Sequence, residues 1–208
     1  MIAVIKYKAG NLASVANALN RLEAPFFLAS SPQELESARA VIFPGVGHAS
    51  AAMHSLNELG IDKWLKQTKK PVLGICVGMQ LLFEGSAEGD TEGLGIIPGR
   101  LKRFDERKGK VPHMGWNTFG EQKDHPLLKN ISPKDYMYYV HSYYAEQNEY
   151  TLATSSYVND FAAVVARDNF MGVQFHPEKS GFAGSHLLQN YMDYVFSNTV
   201  SQFNKNIG

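Results

Sequence analysis

Apolar residues along this chain alternate between short unbroken runs and stripes at helical spacing. Ile2–Tyr7 is a mostly apolar, β-branched run. After Gly10-Asn11, the positions Leu12, Val15, Ala16, Leu19 and Leu22 recur every three or four residues. This predicts strand, turn and helix, with Asn11 as the N-cap. Phe26–Ala29 is the next run, and Ser31, Pro32 and Glu34 then form a capping box with proline at the first helical position. Ala40–Phe43 predicts a third strand closed by Pro44-Gly45-Val46-Gly47, and helical segments follow to about Lys69. Pro71–Ile75 is a fourth strand running into a helix over Gly78–Phe83. Strands alternating with helices imply parallel strands joined by crossover helices, a three-layer α/β domain.

The second half changes style. Gly85–Gly99 is rich in glycine and acid, and strand-like runs then follow one another: Arg100–Phe104, Tyr136–Tyr144, Thr151–Tyr157, Phe161–Arg167 and Phe170–Phe175. Their succession predicts an antiparallel extension of the same sheet. A last helix over roughly Gly184–Phe196 carries Leu187, Leu188, Tyr191 and Val195 on one stripe. No repeat, low-complexity tract or linker divides the chain, so residues 1–208 read as a single domain.

Composition narrows the class. Twenty Lys and Arg balance twenty Asp and Glu, so the chain lacks the cationic field that nucleic acid or an anionic membrane surface needs. The apolar runs are far shorter than the roughly 20 residues of a bilayer span. The start, Met1-Ile2-Ala3-Val4, reads as a strand rather than a secretory leader. With one cysteine, Cys76, no internal disulfide can form, which fits a cytoplasmic location.

That cysteine carries the sharpest local signal. Gly74-Ile75-Cys76-Val77-Gly78 sits between an apolar strand and a helical run, the arrangement of a nucleophile elbow. A turn tight enough to project one side chain into a cleft forces close backbone contacts that a Cβ would block. It also places the thiol at a helix N-terminus, where the thiolate is favoured. Taken alone, a lone cysteine is more often a small buried hydrophobe; strand, motif and helix in register reverse that reading. Among seven histidines, His176 in Phe175-His176-Pro177-Glu178 is the best acid/base. It lies just past the last strand, at the carboxyl edge where Cys76 also lies, and Glu178 two residues on can orient the imidazole. The turn Pro44-Gly45-Val46-Gly47 ends another strand at that edge. Backbone N–H groups near Gly45 and Val46, with that of Val77, can form an oxyanion hole. No metal-ligand cluster and no phosphate loop is found, so neither metal nor cofactor is expected.

P-G-V-G, G-I-C-V-G-M-Q and H-P-E, in that order over nearly the whole chain, resemble the triad (class I) glutamine amidotransferases. Four further stretches narrow the likeness: Tyr7–Val15, the P-G-V-G form of the turn, Pro112-His113-Met114-Gly115-Trp116-Asn117, and His176-Pro177-Glu178-Lys179-Ser180. They resemble the family of glutaminase subunits of imidazole glycerol phosphate synthase, of histidine biosynthesis.

The resemblance implies a flavodoxin-like, mostly parallel sheet with an antiparallel extension. It implies Cys76 as nucleophile, His176 as acid/base and Glu178 as its orienter. Gln80, Glu88, His141, Ser142 and Tyr143 would hold the α-amino and α-carboxylate groups of glutamine. Gly10, Asn11, Trp116, Asn117 and Lys179 would face a cyclase (synthase) subunit in a heterodimer, to which ammonia is delivered. From the residues alone, Glu88 in its glycine-rich loop reads more often as a solvated surface acid, and Trp116 in a strand-like run is usually a core residue. Two other functions share these features: a cysteine peptidase or small-molecule hydrolase on the same elbow, and a catalytically idle subunit that only binds its partner. The glycines of the 44–47 turn also permit a peptide flip, which predicts a latent free subunit that its partner switches on.

Overall fold

The computed structural model describes residues 1–7 and 12–205, with side chains described as far as residue 197. Its first half follows the predicted alternation: β1 (Ile2–Ile5), α1 (Leu12–Arg21), β2 (Phe26–Ala29), α2 (Pro32–Glu36), β3 (Ala40–Gly45), α3 (Ala49–Glu58), α4 (Ile61–Gln67), β4 (Val72–Cys76) and α5 (Val77–Gln80). Asn11, the expected cap of α1, lies outside the described residues. Ser31 caps α2 by accepting from the Glu34 N–H, as the capping box predicts. The returning Glu34 carboxylate takes the N–H of Ser30 at 2.7 Å.

The second half comprises β5 (Phe83–Ser86), β6 (Thr91–Glu92), β7 (Ile97–Arg103), β8 (His113–Asn117), β9 (Met137–His141), β10 (Tyr143–Tyr144), β11 (Thr151–Ser156), β12 (Asp160–Arg167), β13 (Phe170–Val173) and α6 (Gly181–Lys205). The main sheet has seven strands in the order β11-β12-β13-β4-β3-β1-β2. Strands β13, β4, β3, β1 and β2 run parallel, and β12 and β11 extend the sheet antiparallel. From β1 the order first moves to β2 and then reverses through β3 to β4, so right-handed crossovers place α1 on one face and α2, α3 and α4 on the other.

The antiparallel extension is smaller than its sequence runs suggested. Only β11 and β12 form it. The Phe170–Phe175 run supplies β13, which inserts parallel beside β4. Strands β10, β7, β5 and β6 make a separate four-stranded sheet, and β8 with β9 makes a two-stranded ribbon. The helix expected over Gly78–Phe83 ends at Gln80, because Phe83 turns into β5. Leu81, Leu82 and Phe83 are all buried, and a run buried on every side has no periodicity to tell helix from strand. One core, from Ile2 to Val195, runs through these elements.

Candidate active site

Strand β4 delivers Cys76 at its last residue, and the backbone there leaves the β region, with φ 53° and ψ −110°. A non-glycine residue with positive φ stores strain; here that strain throws the thiol out of the sheet's edge. The neighbouring backbones close around it. A Cβ on Gly78 would meet the Phe43 carbonyl oxygen at 1.9 Å, and one on Gly45 would meet the Gly78 nitrogen at 2.5 Å. The elbow's glycine is therefore required by contact with β3. Since α5 is one turn long, its summed dipole is small, and the local contribution comes from its unpaired first N–H groups.

Parallel pairing brings the other parts alongside. In the β3–β4 register Gly45 stands opposite Cys76, and in the β13–β4 register Val173 stands opposite Ile75. The turn Pro44–Gly47 and the segment leading to His176 therefore open onto the same edge as the thiol. His176 and Glu178 are both buried, with Nδ1 and Oε1 2.8 Å apart. Pro177–Lys179 is a one-turn 3₁₀ helix, so the pair meets across a turn.

His176 Nε2 is buried without a fixed hydrogen bond, as is Glu178 Oε2. Buried polar atoms of this kind call for an explanation, and a role in chemistry is one. Burial alone would lower the pKa of His176, but its interactions with Cys76 and Glu178 outweigh burial and push it up to about 10. The imidazole thus receives and holds a proton readily between thiol and carboxylate.

A cavity of about 270 Å³ opens in front of Cys76, lined by Val46, Gly47, Val77, Gln80, Glu88, Val140, Ser142, Tyr143 and His176 among others. Every residue predicted to handle the oxyanion or substrate lines it except Gly45, which lies behind it in β3, packed on the elbow. Glu88 is anchored rather than solvated, since its carboxylate accepts the Ala49 N–H at 2.7 Å at the start of α3. His141 also lines the cavity, but its ring is committed to protein partners: Nδ1 lies 2.8 Å from the Tyr143 carbonyl oxygen and Nε2 lies 3.0 Å from His113.

Two residues of the site carry no role in the sequence reading. Gln174 is fully buried and places its amide nitrogen 3.8 Å from Cys76 Sγ, while its oxygen accepts from Gln80. Its signal was a lone polar residue between Val173 and Phe175. Tyr7 is buried just past β1 and donates to the Pro44 carbonyl at 2.7 Å. Burial, with the nearby Cys76 charge, pushes its hydroxyl pKa up, so it stays a donor.

Of the residues expected to face a partner, Gly10 and Asn11 lie outside the described residues. Trp116 is 56% exposed, which excludes the core reading. Its ring meets Tyr138 edge-on at 5.7 Å, and the Lys179 ammonium sits 5.9 Å from the same tyrosine. Asn117 instead turns its amide inward, to the Ser156 carbonyl at 2.9 Å. Among the described residues no group of three or more His, Cys, Asp or Glu is placed to hold a metal ion, and no helix is long and apolar enough to cross a membrane.

Comparison with known proteins sets the class. The family model "Glutamine amidotransferase class-I" matches residues 5–193. Solved structures agree in fold: a putative GMP synthase subunit from Thermoplasma acidophilum superposes with a TM-score of 0.72 at 16% identity, over 97% of this chain and 96% of that one. The PurLQS structure from Thermotoga maritima gives 0.71 at 18% identity, over 93% and 98%. Among curated proteins, imidazole glycerol phosphate synthase subunit HisH of Bacteroides fragilis is 46% identical over 92% of this chain and 98% of its own length. HisH of Geobacillus thermodenitrificans is 47% identical over 94% and 96%. The chain belongs to the HisH family of class-I glutamine amidotransferases.

Proposed function

We propose that this chain is the glutaminase subunit of imidazole glycerol phosphate synthase. It hydrolyses the side-chain amide of glutamine and delivers ammonia to a cyclase subunit in histidine biosynthesis. The observation that carries the reading is the buried Glu178–His176 pair, with a free Nε2 beside a strained Cys76, at the wall of a small polar-edged cavity.

His176 Nε2 takes the Cys76 proton, and the sulfur attacks the amide carbon of glutamine. The oxyanion rests on backbone N–H groups of the Val46 turn and of Val77. His176 returns the proton to the leaving nitrogen, ammonia departs and a thioester remains. A water molecule, deprotonated by His176, attacks the thioester; glutamate leaves and the thiol is restored. Ammonia must be handed over before solvent protonates it, which calls for a docked acceptor. The exposed Trp116 and Met114 on β8, beside Tyr138 and Lys179, offer the docking face. A biosynthetic role and a single free cysteine both support the reducing cytoplasm.

The test is covalent trapping. A diazoketone analogue of glutamine, incubated with the complex and followed by peptide mass spectrometry, is expected to place one adduct on Cys76. Glutamine turnover that persists after labelling, or an adduct on another nucleophile, would overturn the assignment.

A further inference from the structure

Two buried histidines play no part in thioester chemistry. His113 and His141 stand directly opposite each other at one end of the β8–β9 ribbon. His113 is stacked between Tyr157, at 4.2 Å, and Tyr139, at 5.0 Å. Burial pushes the pKa of His113 down to about 4 and, as the largest influence, that of His141 down to about 3, so both rings are neutral at pH 7.

A neutral imidazole has one donor and one acceptor, which fixes every direction in the cluster. The Tyr143 carbonyl can only accept, so His141 Nδ1 carries the proton and its Nε2 accepts. His113 Nδ1 must then donate across 3.0 Å. The remaining His113 Nε2 is an acceptor and lies 3.4 Å from the Asn117 amide nitrogen. Beyond the Tyr143 carbonyl the order continues. Gln80 Nε2 donates to that carbonyl at 3.1 Å and to Gln174 Oε1 at 3.1 Å. Both amide hydrogens of Gln80 are thereby used, so it offers the cavity only its carbonyl oxygen. A pure acceptor at that wall suits an ammonium group.

We propose that the His113–His141 pair is a positioning relay that holds the Tyr143 carbonyl and, through it, locks Gln80 as an acceptor for the α-ammonium group of the amino-acid substrate. The relay begins at Asn117 on β8, beside exposed Trp116, and ends in the cavity. It therefore ties the setting of the docking ribbon to substrate selection. The inference rests on the glutaminase reading and sharpens it. With the relay cut, the Tyr143 carbonyl shifts and the Gln80 amide is free to turn its NH₂ toward the ammonium, which repels it.

The experiment uses the complex with the cyclase subunit. Glutaminase kcat and KM are measured for glutamine and for glutaramate, which is glutamine without its α-amino group. His113→Leu removes the donor to His141; His113→Asn keeps an amide nitrogen near the place of Nδ1. The Leu variant is expected to raise KM for glutamine about tenfold, the effect of one misplaced polar contact, with kcat, glutaramate turnover and ammonia-dependent synthesis unchanged. The Asn variant is expected to recover most of that loss. Equal losses on both substrates, no loss on either, or identical behaviour of Leu and Asn would overturn the relay. Absence of any glutamine hydrolysis by the unsubstituted complex would instead refute the glutaminase reading.

Discussion

The hydroxyl of Tyr7 reaches from just past β1 to the carbonyl of Pro44, 2.7 Å away, and so pins the first residue of the turn that faces Cys76. Both partners are buried, and truncating the donor leaves the acceptor unsatisfied. Tyr7→Phe is therefore expected to destabilise the fold by about 1–3 kcal/mol. It should also lower glutaminase kcat more than it raises KM, because the turn serves the oxyanion and not the ground state. Thermal melts and steady-state kinetics of the complex read both; a Tyr7→Phe enzyme with full kcat would show that the turn holds its place without it.

The same turn separates its two glycines. Gly47 has φ +91° and open space around it, whereas a Cβ on Gly45 runs into the elbow backbone at Gly78 and the side chain of Val77. Gly47→Ala meets no neighbouring atom but is expected to strain the turn and restrict it, because alanine disfavours that φ. Removing one oxyanion donor costs about 10²–10³ in rate in other enzymes, so the partner-activated rate should fall steeply against the basal one. Gly45→Ala, in the same turn, is instead a test of elbow packing. It should depress basal and activated rates together, and initial-rate assays with and without the cyclase subunit distinguish the two.

Glu178→Gln should impair hydrolysis less than His176→Ala, because the carboxylate holds Nδ1 at 2.8 Å while Nε2 moves the proton. Single-turnover thioester formation gives the order. Equal losses would assign Glu178 more than orientation.

Acid should unfold this protein through its neutral histidines. With His113 held down to about 4 and His141 to about 3, the unfolded chain binds protons that the folded chain refuses as pH falls below 6.5. The contribution of these two rings to stability is thus complete above pH 6.5 and declines toward pH 4 by a few kcal/mol, flattening only where the folded rings protonate. Urea melts across this range should show a shallower decline for His113→Asn, which removes one titrating ring. An unchanged slope would place the acid sensitivity elsewhere.

The parallel half of the sheet was legible because each strand is a short apolar run followed by a capped or periodic helix, from Ile2 to Cys76. The candidate site was legible for the same reason: elbow, His176 and the Gly45 turn all fall at strand ends. The later strands were not, since alternation shows that a segment is a strand but not which sheet takes it. Phe170–Val173 pairs parallel with β4 only because the chain returns across residues 81–169 to reach it. Gln174 and the His113–His141 pair escaped because a polar residue in an apolar run shows its partners only in three dimensions. Glu88 reads as a loop acid from its neighbours in sequence, and only the fold sets the start of α3 on its carboxylate.

Cys76→Ala in the assembled complex tests the central claim most directly, with imidazole-ring synthesis measured once from glutamine and once from added ammonium salt. The substitution removes one small buried group and should disturb the fold little. The account predicts that glutamine-dependent synthesis disappears while ammonia-dependent synthesis stays at the unsubstituted rate. Retained glutamine-dependent synthesis, or equal loss of both with the complex intact, would contradict it.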